Sequence, residues 1–428
     1  MLDGIRNAFR VPELRNKLLF TLGMLLLYRI GSYVPVPGIP FQAMYDSYAT
    51  AAGQVGAVAA LDLFSGGALS HVSVFCLGIM PYITAQIIMQ LMQGVIPSLQ
   101  ELAMEGEAGQ ARLTQYTRYL GVALSAVSAV GYLFLFKSSM FGVSFEGCGL
   151  PAWLMETVVV VSLLAGAVLI MWMGELITQR GIGNGMSLII FANILSGLPS
   201  AIIESVAGSA DGLVITLLVL LVVCLAVPFI VYVERGQRRI PIQFAKRVVG
   251  RRVMGGQSTY LPIKVNTAGV VPIIFASAVI YLPAQVAVMF PSVGWINAVA
   301  NATSGGWINW ILTCVLIVAF AYFYASMVFD PKQTSDMLRK QGGFIPGVRP
   351  GTATENYIRG VVQHITLPGA VFMVVLAVVP SIIFSFTAIP LVQTLGGTSI
   401  LIMVGVAIDT LSQLEGQLKM HNYDGLFE

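Results

Sequence analysis

Long apolar blocks separated by short polar segments dominate the hydrophobic pattern of this chain. A helix needs about 20 apolar residues to cross the hydrocarbon core of a bilayer, and most of the blocks have that length. An even number of crossings would leave both termini on the same side of the membrane. The pattern predicts ten spanning helices, at residues 18–36, 71–95, 116–136, 153–175, 185–206, 213–233, 267–289, 307–329, 362–386 and 396–415.

One region departs from this pattern. From Val55 to Met92 the chain is mostly apolar and too long for one crossing, and it is interrupted at Leu61–Gly67. Unpaired backbone amides are costly in lipid, so such a break is tolerated only inside protein or beside water. We expect a short half-helix near residues 55–65, a glycine turn, and a full span from residue 71 onward. Broken helices of this kind typically line a pathway; a plain re-entrant external loop is the alternative.

Composition supports a membrane protein. Of the 428 residues, 57% are hydrophobic and 10% are charged, whereas soluble domains carry about 25% charged residues. So few charges could not cover a water-facing surface. The four cysteines, of which three lie inside apolar blocks, indicate neither a disulfide framework nor a metal cluster.

The basic residues predict the orientation. All but two of the 23 lysines and arginines lie on the termini and on the alternate loops that share the N-terminal side; the exceptions are Arg29 and Lys137. By the positive-inside rule, both termini are cytoplasmic. No small-residue cleavage site follows the first apolar run, so we expect residues 1–17 to be a cytoplasmic amphipathic segment before a retained span. Residues 416–428 would be a cytoplasmic tail.

Two of the cytoplasmic loops are long and basic, residues 234–264 and 330–360. The first holds eight basic residues against a single acid. Positive-inside topology alone would place a few basic residues in each loop, and for either loop that remains an alternative. Eight in one loop exceeds it and indicates docking of an acidic or RNA-bearing partner.

The motifs of common enzyme classes are missing from the sequence. A phosphate-binding P-loop needs a Gly-Lys pair, and the chain has none; no histidine is followed by glutamate, as a zinc protease requires. We therefore predict no catalytic residue, no metal site and no cofactor. A secondary transporter of a small solute is the rival, but such carriers place charged groups near the bilayer midplane. Residues 265–329 and 360–408 contain no charged side chain, which favours a passive conduit.

Seven short motifs carry a specific resemblance. Together, and in the same order from end to end, they resemble the bacterial SecY family. The motifs are Leu63–Ser70, Leu77–Thr84, Glu105–Glu107 ahead of Gln115–Tyr119, Arg180–Gly185, Glu234–Pro241, Gly255–Thr259 and Gly343–Gly351.

The resemblance implies an all-α polytopic membrane protein with ten transmembrane helices in two inverted halves, residues 18–206 and 213–415. A short plug half-helix, residues 57–70, would close the channel from one side. The implied function is a channel that passes unfolded secretory polypeptides across the plasma membrane. It would also release transmembrane segments sideways into the bilayer.

The same resemblance assigns site residues by motif position. The plug would include Leu61, Leu63, Phe64, Ser65, Gly66 and Gly67. A ring of apolar side chains would form the constriction: Ile79, Ile83, Met186, Ile190, Ile274 and Ile402. Such a ring excludes water and ions by dewetting. The chain departs from the family at Met186, where isoleucine is usual.

The lateral gate would lie between spans two and three on one side and spans seven and eight on the other. Its polar residues would be Thr84, Gln90 and Asn266, for which ordinary interhelical hydrogen bonding is the alternative role. The basic loops would dock the ribosome, through its ribosomal RNA, and the SecA motor. The residues assigned to docking are Arg238, Arg239, Lys246, Arg247, Arg251, Arg252 and Arg349. The implied membrane partners are SecE and SecG, and the implied location is the bacterial plasma membrane.

Overall fold

The computed structural model describes residues 11–39, 65–137, 151–207, 212–244, 247–249, 252–254, 258–266, 269–289, 293–304, 306–387, 391, 396 and 398–424. Helices α1 to α7 are Pro12–Gly31, Met80–Val95, Pro97–Met104, Glu107–Lys137, Ala152–Arg180, Gly185–Ala207 and Gly212–Glu234. Strands β1 to β4 follow, at Gln237–Phe244, Arg247–Val249, Arg252–Met254 and Ser258–Lys264. Then come α8 (Val271–Met289), α9 (Gly294–Ser304), α10 (Gly306–Val328), α11 (Pro331–Lys340), β5 (Gly343–Phe344), α12 (Thr352–Thr387) and α13 (Thr398–Asp424).

The helices confirm an all-α polytopic membrane protein. Each predicted apolar block overlaps one helix, namely α1, α2, α4 to α8, α10, α12 and α13. Among the described residues, seven helices are long and apolar enough to cross a membrane, those that begin at Glu107, Ala152, Gly185, Gly212, Gly306, Thr352 and Thr398. Several boundaries differ from the prediction; α4 begins at Glu107 instead of residue 116, and α12 begins at Thr352 instead of residue 362. Helix α13 continues through Asp424 instead of ending at residue 415, and α9 lies in a segment expected to be a loop.

The second predicted span is helical only from Met80. Gly78 before it has a left-handed φ of 58°, and Pro81 occupies the first helical turn, where proline favours a helix start. The resulting helix has 16 residues, about 24 Å at 1.5 Å per residue, so it falls short of a bilayer core of about 30 Å. The preceding residues 65–79, which we call the connecting segment, would therefore occupy the part of the bilayer core that α2 does not span.

The connecting segment is irregular but buried, as lipid requires of non-helical backbone. The chain after α1 satisfies part of its backbone. Val36 N donates to Val72 O at 2.9 Å, and Val74 N donates to Val34 O at 2.9 Å. Its apolar side chains share a core with α4 and α5. The expected glycine break is therefore present, packed inside the helical bundle.

The first and last described helices, α1 and α13, are in contact. Leu14 of α1, Ile182 between α5 and α6, and Leu414 of α13 form one buried cluster. Lys17 Nζ donates to Gln417 Oε1 at 3.4 Å. The start of α1 and the last part of α13 therefore lie at the same end of the molecule, as expected for an even number of crossings.

The two long basic loops form one folded unit. Strand β1 pairs antiparallel with β4 from Gln237↔Lys264 to Gln243↔Ser258, and β5 of the second loop pairs with the far end of β1. A single apolar core lies beneath them: Ile240, Ile242, Ile263, Leu338, Ile345, Ile358 and Val362. We call this unit the loop module.

Candidate functional site

The six residues assigned to the constriction lie in one buried apolar cluster. Four elements supply them: Ile79 and Ile83 at the start of α2, Met186 and Ile190 at the start of α6, Ile274 in α8 and Ile402 in α13. None is more than 8% exposed. Residues four apart share a helix face, so α2 and α6 each direct two bulky side chains to the same side.

The side chain of Met186 packs against the neighbouring helix α5. A Cβ added to Gly174 of α5 would lie 2.5 Å from Met186 Sδ. The sulfur therefore rests against the neighbouring helix, in a space that only glycine leaves open. A long unbranched side chain reaches this position, whereas the usual isoleucine would not extend as far.

A glycine turn adjoins the cluster. Gly66 and Gly67 have φ of 69° and 84°, which glycine adopts readily. A Cβ on Gly66 would lie 2.5 Å from Asn193 Oδ1 of α6, and Asn193 is three residues beyond Ile190. Ala68, directly after the turn, is fully buried in the same apolar cluster. The plug residues Leu61, Leu63 and Phe64 lie outside the described residues.

Sequence reasoning missed the side chains that hold this turn. Arg29 of α1 donates from Nη1 to Gly66 O at 2.5 Å, and His71 Nδ1 lies 2.7 Å from Gly67 O. The signal was available, because Arg29 is one of two basic residues that break the positive-inside pattern. A charge in an unfavourable place calls for a local partner.

The predicted gate residues lie on both sides of a closed seam. Helix α8 packs against α2 and α4, and we call this contact the seam. A Cβ on Gly94 of α2 would lie 3.2 Å from the ring of Phe323 in α10. Spans two and three therefore face spans seven and eight, in the arrangement that the gate requires.

Hydrogen bonds across the seam do not pair the assigned gate residues with one another in the described structure. Thr84 Oγ1 donates to Met80 O of its own helix at 3.0 Å. Gln90 Oε1 is buried and has no hydrogen-bond partner among the described residues. Asn266 Nδ2 donates to Glu234 Oε1 at 2.7 Å and to Gly269 O at 3.0 Å. Asn266 thus connects α7 to the start of α8, and Glu234 is a further polar residue that the motif comparison did not assign.

The residues assigned to docking belong to the loop module. Arg238 and Arg239 are exposed on β1, and Arg349 is exposed in the turn that follows β5. Arg247 and Arg252 lie on the paired strands β2 and β3, whereas Lys246 and Arg251 fall outside the described residues.

The turn that carries Arg349 is fixed from two helices. Thr354 Oγ1 of α12 donates to Arg349 O at 2.9 Å, and Ser335 Oγ of α11 donates to Gly351 O at 3.0 Å. Gly347 and Gly351 have φ of 83° and 109°. Within the described structure no acidic side chain forms an ion pair with Arg349, so its charge faces solvent from a rigid backbone.

Comparison with known proteins adds independent evidence. The sequence model of the SecY family matches residues 73–411. Protein translocase subunit SecY of Streptomyces coelicolor is 44% identical over 437 residues, which cover 99% of both chains. The same subunit of Mycobacterium tuberculosis is 44% identical over 452 residues and covers 100% of both chains.

Solved structures agree on the fold. A protein-conducting channel superposes with a TM-score of 0.62 at 21% identity, over 93% of this chain and 91% of the other. Sec61 in a canine ribosome-channel complex from the endoplasmic reticulum gives a TM-score of 0.58 at 20% identity, with the same coverage. The family match and the full-length relatives lead to one conclusion: the chain belongs to the SecY family.

Proposed function

We propose that this chain is the protein-conducting channel of a translocase, in which ten spans form two inverted halves. Unfolded secretory polypeptides would cross the plasma membrane through its centre, and transmembrane segments would leave sideways into the bilayer. The observation that carries the proposal is the buried apolar cluster that α2, α6, α8 and α13 share next to a glycine turn. The relatives reported above are translocase subunits, so they give the transporter alternative no support.

The apolar constriction follows from the chemistry of the cluster. A narrow ring of isoleucine and methionine side chains cannot hydrate an ion, so ions are excluded by dewetting. Flexible apolar side chains can nevertheless close around an extended polypeptide without binding any particular sequence. The plug, residues 57–70, would close the same opening at rest, and the seam between α8 and α2/α4 would be the lateral exit.

The partners follow from the loop module. Its exposed arginines suit the phosphates of ribosomal RNA, which basic side chains bind without reading sequence. They equally suit the SecA motor, since no P-loop occurs in this chain and energy from nucleotide must come from a partner. SecE and SecG would complete the complex in the bacterial plasma membrane, with both termini in the cytoplasm.

Reconstitution tests the function directly. Vesicles that contain the chain with SecE and SecG should import a signal-bearing protein when SecA and ATP are supplied, and should not import the same protein without its signal. Uptake of small solutes by the chain, with no movement of polypeptide, would instead support a secondary transporter.

A matched pair of variants tests the constriction. Ile190 and Ile170 belong to the same cluster and are 2% and 0% exposed, but only Ile190 is assigned to the ring. Serine at either position removes similar apolar volume. Ile190→Ser should raise the ion conductance of the resting channel in planar bilayers, and Ile170→Ser should not. Equal conductance in the two variants would show that the ring is assigned wrongly.

A further inference from the structure

Arg29 occupies an unusual place for a basic residue. It lies in the last turn of α1, at the end of the molecule opposite the termini, where the sequence places almost no lysine or arginine. The side chain is half-buried, so part of its hydration is lost. Its hydrogen bonds must therefore compensate for that loss.

Two contacts fix the guanidinium. Nη1 donates to Gly66 O at 2.5 Å, and Nη2 donates to Tyr33 Oη at 3.1 Å. The same group lies 5.1 Å from the centre of the Tyr33 ring, within range of a cation–π interaction. Tyr33 thus holds Arg29 in the orientation that reaches the glycine turn.

Tyr33 also contacts His71, which binds the same glycine turn. The His71 ring meets the Tyr33 ring edge-on at 4.9 Å between centres, and His71 Nδ1 lies 2.7 Å from Gly67 O. In the tautomer with a proton on Nδ1, His71 donates to this carbonyl, which also accepts from Ser70 Oγ at 2.8 Å. Side chains therefore bind two consecutive carbonyls of the turn: Arg29 binds that of Gly66, and His71 and Ser70 bind that of Gly67.

Part of the turn is loosely packed, so hydrogen bonds to its carbonyls help to set its position. Gly67 would accept a Cβ with no neighbour closer than 3.8 Å, so packing alone does not confine it. Glycine also has more conformational freedom to lose than any other residue. Hydrogen bonds to carbonyls can break and re-form, unlike the packing of the surrounding helices.

We propose that Arg29 is the positioning residue that keeps the Ser65–His71 turn in its closed place beside the constriction. Loss of the guanidinium releases the turn while the helices stay folded. The proposal rests on the proposed function only for its consequence, that release of the turn opens the resting channel to ions. The alternative is that Arg29 serves only as one positive charge at the end of α1.

Cysteine labelling tests the position of the turn without any transport assay. Ala68 is fully buried, so Ala68→Cys in a chain without its native cysteines should react slowly with a membrane-impermeant maleimide. The labelling rate is compared in four backgrounds, all assembled in the complete complex: unchanged, Arg29→Met, Arg29→Lys and Lys137→Met. Lys137 is the matched control, since it also breaks the positive-inside pattern but pairs with Glu156 at 2.5 Å.

The expected increase follows from the bond that is lost. A hydrogen bond to a charged group shifts an equilibrium by on the order of ten- to a hundredfold. Arg29→Met should raise the labelling rate by that factor, Arg29→Lys should raise it less, and Lys137→Met should leave it unchanged. An Arg29→Met rate within about twofold of the unchanged background, below the factor of a charged hydrogen bond, would overturn the proposal. So would an equal rise in Lys137→Met.

A second variant covers the case in which Arg29→Met does not assemble. The double variant His71→Phe with Ser70→Ala keeps a ring beside Tyr33 but removes both side-chain donors to Gly67 O, and it should also raise the labelling of Ala68→Cys. Slow labelling in an assembled complex of this double variant would count against the proposal. Ion conductance is then measured on the same variants. Faster labelling without added conductance would support the role of Arg29 while refuting the proposed closure of the pore by this turn.

Discussion

Gly66→Ala and Gly67→Ala separate backbone conformation from packing at the glycine turn. Both glycines have left-handed φ, 69° and 84°, which costs an L-residue about 1–2 kcal/mol. They differ in their surroundings. A Cβ on Gly66 would lie 2.5 Å from Asn193 Oδ1 and 3.2 Å from Asn193 Cα, whereas one on Gly67 has only Ser70 Oγ at 3.8 Å.

The magnitude for each variant follows from these distances. Gly67→Ala should cost the closed turn only the conformational term, about 1–2 kcal/mol. At Gly66 the clash with Asn193 adds an overpacking term of about 1–3 kcal/mol, because the backbone of α6 cannot move aside. The closed population should therefore differ between the two variants by roughly fivefold to 150-fold.

The assay is the ion conductance of single resting channels in planar bilayers, with thermal unfolding of the detergent-solubilised complex as a check on folding. Gly66→Ala should conduct for a larger fraction of time than Gly67→Ala, and both should unfold near the temperature of the unchanged protein. Equal open fractions in the two alanine variants would refute the argument, since the expected difference between them rests on the contact of a Gly66 Cβ with α6.

Two further predictions concern the loop module and the seam. Arg349→Glu should weaken SecA binding roughly thirtyfold to several thousandfold, the range for losing a desolvated interfacial charge pair. The control variant Arg339→Glu, at a residue that is also exposed, should have little effect. Equal minor losses of SecA affinity and ATP-driven transport in the two variants would contradict a specific role of Arg349. Asn266→Leu should lower the melting temperature of the complex, because it leaves the Glu234 carboxylate without its donor at 2.7 Å, a cost of about 1–3 kcal/mol. Thr84→Val should change the melting temperature little, because the Thr84 hydroxyl donates within its own helix. Equal shifts in melting temperature for the two variants would argue against the Glu234–Asn266 contact.

The hydrophobic pattern predicted most of the helices because lipid imposes a simple length rule on apolar segments. The rule failed where the chain is not exposed to lipid. Residues 71–79 are apolar enough to be counted in a span, yet Gly78 and Pro81 delay the helix until Met80. A segment buried inside protein is as apolar as a segment exposed to lipid, so hydropathy does not distinguish the two.

The motifs assigned six residues to a constriction, and the structure places all six in one apolar cluster. They could not show how polar residues are paired. Asn266 was assigned to the gate, but its closest partner is Glu234, a residue that hydropathy places at the end of a span. Hydrogen bonds depend on helix rotation and depth, and a single sequence specifies neither.

Composition alone was enough to predict that this protein belongs in a membrane, because its 10% charged residues could not cover a soluble surface. The sequence also showed which segments are basic, and where a glycine break interrupts an apolar block. The folded chain was needed to see that the two basic loops share one sheet and that Arg29 reaches Gly66 across 37 residues of chain. Contacts between distant segments arise from the packing of whole helices, and that packing is a property of the complete fold rather than of any local pattern.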